Sequence, residues 1–178
     1  MEMTDRPLAI TDCEMTGLDP RRHEIIEIGL VLAHPRTLDI IDTLDVKVKP
    51  EHIETADPDA LKINGYNEGD WKDALTLQVA LAQYATKTAN GIFTAQNVSS
   101  DWSFIDAAFE KTQLWNRLDY HRIDTFAIAW AKLRHSGLKE FNLVSIAEFL
   151  GVPKEPLPHR AINGAMCAYE IYKKLMLQ

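Results

Sequence analysis

Ile10-Thr11-Asp12-Cys13-Glu14-Met15-Thr16-Gly17-Leu18-Asp19-Pro20 sets two acids one residue apart at the end of an apolar run, Leu8 to Thr11, and follows them with a glycine turn. Side chains i and i+2 of a strand project to the same face, so Asp12 and Glu14 stand side by side. Two like charges so placed are tolerated when a cation sits between them. Clustered oxygen ligands, completed by water and phosphate, are the usual setting of Mg²⁺ or Mn²⁺ in phosphate-ester chemistry. The stretch reads as a strand end carrying a metal site. Two acids on a solvated strand end would look the same in isolation, so the remaining segments carry the decision.

Outward from this stretch, Glu24 to Ala33 and Ile40 to Val48 are rich in Ile, Leu and Val, and the second alternates. With Leu8 to Thr11 they predict three consecutive strands joined by turns at Asp19-Pro20 and His34-Pro35. The pattern then changes. Asp57 to Ile63 predicts a short helix, Ala74 to Thr88 a longer one, Gly91 to Ala95 a fourth strand and Ser100 to Lys111 a helix. A fifth strand ends at Arg122-Ile123, and Asp124 caps a helix with Phe126, Ala129, Trp130 and Leu133 as its expected core face. Asn142 caps another, with Leu143, Ile146, Ala147 and Leu150 stopped by Gly151. The last helix runs from Ala161 to Met176, with Ile162, Ala165, Met166, Tyr169, Tyr172 and Met176 on one side as packing residues. The stiff loop Lys154-Glu-Pro-Leu-Pro158 leads into His159. Three antiparallel strands followed by βα units predict an α/β fold, a mixed five-stranded sheet flanked by helices.

At 178 residues, 46% of them hydrophobic and 25% charged, the chain fits one domain over 1–178 with a substantial core. Cys13 and Cys167 have no paired spacing, so neither a disulfide framework nor a zinc ribbon is supported, and both are expected as buried thiols. Met1 to Pro7 lacks the basic and apolar regions of a signal peptide, and no apolar segment approaches bilayer-spanning length. A cytoplasmic setting without a membrane partner is the expectation. The net charge of −7 opposes a broad grip on nucleic acid, whose non-specific affinity comes from Lys and Arg releasing counterions. It leaves room for an enzyme that holds a few nucleotides through metal ions, backbone amides and a small basic rim.

Two further segments bring polar groups that could share a cleft with Asp12 and Glu14. In Gln96-Asn97-Val-Ser-Ser-Asp101-Trp102 a polar turn enters a helix, and Asp101 falls in its first turn, where the helix dipole stabilises a negative charge. Pro158-His159-Arg160-Ala161 opens the final helix. Asp101 alone reads as a first-turn acid, and His159 alone as a capping or surface residue.

Together the three segments resemble the DEDDh family of metal-dependent 3′→5′ exonucleases, whose motifs are Asp-x-Glu, Asn-x-x-x-Asp and His-x-Ala-x-x-Asp. Asp12/Glu14, Asn97/Asp101 and His159/Ala161 match in order across nearly the whole chain. Glu14 to Pro20 is similar to oligoribonucleases. Ala60-Leu-Lys-Ile-Asn-Gly-Tyr66 and the region around Arg122-Ile-Asp124 are more similar to the proofreading exonuclease of bacterial DNA polymerase III. The resemblance implies a ribonuclease-H-like sheet and two Mg²⁺ or Mn²⁺ ions straddling the terminal phosphodiester, roughly 3.5–4 Å apart. Asp12 would bridge both ions, Glu14 would hold the ion that binds the attacking water, and Asp101 would act on the second. His159 would be the general base, since histidine titrates near neutrality. Met15, Thr16, Gly17 and Leu18 would cradle the terminal nucleotide, Leu18 or Met15 wedging against the last base, with Asn97 near the strand. Implied partners are the 3′ ends of single-stranded DNA or short RNA, a nucleoside monophosphate product, and a polymerase subunit or a second copy of the chain.

One position departs from that pattern. Gly164 stands where His-x-Ala-x-x-Asp carries its fourth carboxylate. Asn163 does not substitute, because one step along a helix rotates the side chain by about 100°. Gly164 also costs about 1 kcal/mol of helix stability relative to alanine. The expectation is an exonuclease weakened on the nucleophile side of its metal site. A non-catalytic module that grips 3′ ends or partners a polymerase is the alternative, and a domain with coincidental acids is the bland one.

Overall fold

In the computed structural model, which describes residues 2–177, the apolar segments form a five-stranded sheet of order β3-β2-β1-β4-β5. Met1 and Gln178, the ends of the expected domain, lie outside the described residues. The strands are β1 (Leu8–Met15), β2 (Ile25–Ala33), β3 (Ile40–Lys47), β4 (Ile92–Ala95) and β5 (Arg122–Asp124). β1, β2 and β3 pair antiparallel, whereas β4 runs parallel to β1 and β5 parallel to β4. The helices are α1 (Pro58–Asn64), α2 (Leu77–Lys87), α3 (Ser99–Thr112), α4 (Thr125–Leu133), α5 (Leu143–Leu150) and α6 (Ala161–Leu177). Every expected element is present. No helix among the described residues is long and apolar enough to cross a membrane.

The strand period of two divides β1 between two cores. Ala9 and Cys13 join Ile28, Leu30, Leu44, Val46 and Phe93 under α2 and α3, through Leu81, Tyr84, Phe104 and Ile105. Leu8 and Ile10 join Val31, Ala33 and Leu38 under α6, through Ala165, Ala168, Tyr169 and Tyr172. α4 and α5 pack behind α6 through Ala129, Leu133, Ile146, Leu150, Ile171 and Leu175. Asp12 and Glu14 continue the Leu8, Ile10 row, so the acids belong to the α6 face. Cys13 and Cys167 are buried free thiols.

Three expectations are corrected. β1 does not stop at Thr11 but continues to Met15, because β2 stays paired with it through Glu14 opposite Glu27 and Met15 opposite Ile25. The acids, fifth and seventh of its eight residues, lie toward the strand's end as expected. Phe126 and Trp130 do not belong to the core face of α4: Ala129 and Leu133 are buried, while these two are exposed and edge against Phe141. Met176 is likewise exposed, at the last residue but one of α6. The caps hold as expected: Asp124 accepts from the Phe126 amide at 2.9 Å and Asn142 from the Ser145 amide at 2.8 Å.

α6 lies close on β2 because Gly29 has no side chain. A Cβ there would overlap the Ala161 carbonyl and the Ile162 nitrogen, which are backbone and cannot swing aside. Gly29 pairs with Asp12 across the sheet, so this approach sets the height of α6 above the acids. Gly29→Ala is expected to lower the unfolding free energy by about 1–3 kcal/mol, the usual cost of overpacking, as measured by urea denaturation. An unchanged midpoint would mean that α6 does not rest on this residue.

Candidate active site

β1 delivers Asp12 and Glu14 to the face below the start of α6. Beyond Ile10 its β4 side is free, because β4 pairs only with Leu8, Ala9 and Ile10 and then turns away. One amide released there is Cys13 N–H, and Asp101 Oδ1 accepts it at 2.9 Å. Asp101 is the third residue of α3 and is buried. A side chain that alone reads as a first-turn acid, and by the resemblance as a metal ligand, thus reaches across the end of β4 to β1. The connecting turn depends on Asn97, which adopts φ 58° and donates its amide to Asp124 Oδ1 at 3.0 Å. Asn97 is exposed at the carboxyl end of β4.

The start of α6 supplies the other side of the cleft. His159 is held by its amide, which donates to Ile63 O at 3.2 Å, and Arg160 Nη1 donates to Asn64 O at 2.6 Å. Asn64 Nδ2 in turn donates to Met15 O at 3.1 Å, so the end of α1 ties the β1 turn to the start of α6. Glu27, opposite Glu14 on β2, accepts the Ala161 amide through Oε2 at 3.1 Å, and Arg160 Nη1 lies 3.3 Å from its Oε1. A buried carboxylate from the sheet caps the helix.

Gly164 faces Asp12 directly. A Cβ at 164 would lie 2.7 Å from Asp12 Cγ, with Oδ2 nearer still. The Asp12 carboxylate occupies the room a side chain there would need. One ligand atom each of Glu14, Glu155 and His159 lie within 4.8 Å of one another. Glu155 comes from the loop before α6 and had no part in the expected site.

The turn after β1 is knitted internally. Thr16 is buried, its hydroxyl accepts the Glu24 amide at 2.9 Å, and its carbonyl accepts the Asp57 amide at 2.7 Å. The Thr16 side chain therefore shapes the turn and is not free for a nucleotide. Gly17 is covered by the His23 ring, which a Cβ would meet at 2.6 Å from Nδ1. Met15 packs partly on the core, and Leu18 projects into solvent with 87% of its surface exposed, as a wedge requires.

Burial and mutual repulsion raise these carboxyls. Burial lifts Asp12 well above the usual carboxylate range, and the charges of Asp101, Glu14, Glu155 and Glu27 add to it. Glu14 is pushed up to about 8, by burial first, then Glu155, Glu27 and Asp101, with Arg160 offsetting them in part. Asp101 is raised to about 7 by burial against the opposing hydrogen bond from Cys13 N–H. Several carboxylates gathered with an imidazole and short of positive charge are the donor set of a hard divalent cation. The residues present fit such an ion.

Sequence reasoning missed Glu27, Asn64, Arg160 and Glu155. Glu27 had a legible signal: it is the lone acid inside the otherwise apolar run Ile25 to Ala33. Glu155, one acid in a proline-rich loop, had none.

Among curated relatives, the chain is 29% identical over 167 residues to a PolC-type DNA polymerase III of Caldanaerobacter subterraneus, covering 94% of this chain and 11% of that protein. It is 25% identical over 146 residues to an oligoribonuclease of Tropheryma whipplei, covering 75% of this chain and 79% of the relative. The chain spans only about a tenth of the length of the polymerases it matches. Among solved structures, it superposes on the nuclease domain of 3′hExo, a DEDDh family member bound to rAMP, with a TM-score of 0.75 and 20% identity. That match covers 99% of this chain and 94% of the other. With Escherichia coli exonuclease I in complex with a dT13 oligonucleotide the TM-score is 0.79 at 16% identity, over 94% of this chain and 40% of that one. These likenesses bear out the ribonuclease-H-like fold. Residues 9–172 match the Exonuclease family, RNase_T, and the chain belongs to that family.

Proposed function

We propose that the chain removes nucleotides one at a time from the 3′ ends of single-stranded DNA or short RNA, as a metal-dependent 3′→5′ exonuclease. The observation that carries this reading is that Asp12 and Glu14 of β1, Asp101 of α3 and His159 before α6 border one cleft. Two divalent ions, Mg²⁺ or Mn²⁺, would be held by Asp12, Glu14 and Asp101, supplying an activated water and stabilisation of the leaving oxygen. His159, with about a third of its side chain exposed, accepts the proton of the attacking water. The water oxygen bonds to phosphorus as the bond to the 3′ oxygen breaks, giving a nucleoside 5′-monophosphate and a strand shortened by one residue. Leu18 separates the last base from its neighbour, and the backbone amides of Gly17 and Leu18, with Asn97, line the strand's path.

An acidic protein that contacts only a strand end neutralises few phosphates and so binds weakly. The oligoribonuclease and polymerase relatives support RNA and DNA ends respectively, and the second supports action beside a polymerase. Gly164, taken alone, impairs the grip on the nucleophile side. It is also the observation that favours the second reading, a module that holds 3′ ends without cutting them.

With 3′-labelled and 5′-labelled oligonucleotides, the expected products are a ladder shortened from the 3′ end, formed with Mg²⁺ or Mn²⁺ and abolished by Asp12→Asn. Full turnover in excess chelator would sink the metal assignment. His159→Ala is expected to lower kcat by roughly 10²–10⁴ with KM little changed, because a base acts on the transition state. A change confined to KM would place His159 among the substrate-holding groups.

The raised carboxyls also tie stability to pH. Between the ordinary value of 4.5 and about 8, Glu14 keeps its proton in the fold but loses it in the unfolded chain. The native state then binds more protons, so stability falls as pH rises through that window, and Asp12 and Asp101 add to the trend. In chelator, Tm is expected to fall from pH 5 to pH 8, and millimolar Mg²⁺ should restore it most at the alkaline end. A Tm rising with pH in chelator would show that these acids are ionised without a cation.

A further inference from the structure

Gly164 does more than lack a carboxylate. Its backbone lies so close to Asp12 that the Asp12 carboxylate stands where a side chain at 164 would begin. The site has lost one charge on α6, and Asp12 fills the room that a replacement at the same position would need.

A carboxylate stands nearby on another element. Glu155 leaves the loop between α5 and α6, and its side chain is only 6% exposed. Oε1 is fixed by the Arg160 amide at 3.0 Å, one of the free N–H groups at the opening of α6. Oε2 accepts no hydrogen bond from any described residue; His159 Nδ1 stands 3.6 Å from it, beyond hydrogen-bond reach. Oε2 keeps an opening to solvent in a side chain otherwise largely shielded from water, so a cation entering there meets a free carboxylate oxygen without any rearrangement. Glu14 brings a second acid to the same point, within 4.8 Å of both Glu155 and His159. The two carboxylates can converge on one ion beside the imidazole that takes the water's proton, on the side of the site that α6 borders.

Building on the exonuclease reading, we propose that Glu155 is the fourth carboxylate of this site, ligating a divalent cation together with Glu14 from the loop before α6 in place of a side chain at position 164. The fold makes the exchange local: the loop and the first turns of α6 border the same acids, so a charge lost at 164 and a charge present at 155 fall on one cleft. The donor count returns to four with Asp12, Glu14, Asp101 and Glu155.

The test is Mn²⁺ binding by the whole chain, followed by electron paramagnetic resonance without substrate. Glu155→Gln keeps an acceptor for the Arg160 amide and removes the charge, so the helix start is preserved; an unchanged Tm in chelator checks that. The expected result is a Kd for Mn²⁺ at least roughly tenfold weaker than in the parent, the scale seen when groups around a metal are removed. Should the Gln variant fail to fold, Glu155→Asp, which keeps the charge on a shorter stem, is expected to weaken Mn²⁺ binding in the same direction. A Kd within twofold of the parent in the folded variant overturns the proposal. So does a variant that binds Mn²⁺ normally while its pH-rate profile shifts, since Glu155 would then act only by positioning His159. Asp12→Asn, run alongside, separates the two failures. If it abolishes Mn²⁺ binding while Glu155→Gln does not, only the role of Glu155 falls. If neither matters, the metal-site reading itself is wrong.

Discussion

The seating of the first turn of α6 on β2 is the contact on which the rest of the site depends. Glu27 takes the Ala161 amide, Arg160 reaches back to Glu27, and Gly29 leaves the space in which the helix backbone lies. A helix start buried without such a partner would leave an unpaired amide costing about 1–3 kcal/mol. Glu27 is itself raised by burial, with the Ala161 amide and Arg160 working against that, so its ion pair adds little net stability. What it fixes is geometry. A shift of α6 by one residue would turn position 164 by about 100° away from Asp12 and carry His159 out of the cleft.

The two apolar clusters on the faces of the sheet let the site hold this charge. Asp12 and Glu14 lie in line with Leu8 and Ile10, on a strand whose other face is packed under α2 and α3, so they cannot relax outward without losing that packing. Their repulsion is therefore retained and appears as carboxyls that resist ionisation. A divalent cation entering at neutral pH displaces those protons, which couples metal binding to both pH and folding. The same rigidity serves chemistry, since groups already aimed at the phosphate need no reorganisation when it arrives.

Much of this was legible in the sequence because each element carries its own period or cap. Alternation along Ile40 to Val48, the Asp124 and Asn142 caps, and the Gly151 stop all reappear in the structure. The Asp12-x-Glu14 pair reads as a strand end and stands at one, Glu14 being the last residue but one of β1; only the length of the strand is missed, because pairing with β2 carries it beyond the apolar run that ends at Thr11. Phe126 and Trp130 were misplaced for a different reason. Period alone cannot tell a face that meets the sheet from one that meets only Phe141 at a rim. Thr16 looked like a nucleotide contact from its place in the motif, but its hydroxyl is needed to close the turn onto Glu24. Glu155 was beyond reach, because nothing local distinguishes an exposed loop acid from one that folds back into a cleft.

A motif treats a ligand as a position in the chain, whereas a cation requires charge at a point in space. Aspartate on a helix meets that need with a short stem on a rigid element. Glutamate on a loop has one more methylene and more conformational freedom to lose on ordering. Here the loop is constrained: Pro153, Pro156 and Pro158 limit its backbone, and the Arg160 amide pins one carboxylate oxygen. Arg160 is in turn held by Asn64 and Glu27. With Glu155 as fourth ligand, the charge that Gly164 lacks is supplied through the same helix start that Gly29 and Glu27 seat on the sheet. Metal grip and the docking of α6 then share their residues, so substitutions at 27, 155, 160 and 164 should couple rather than add.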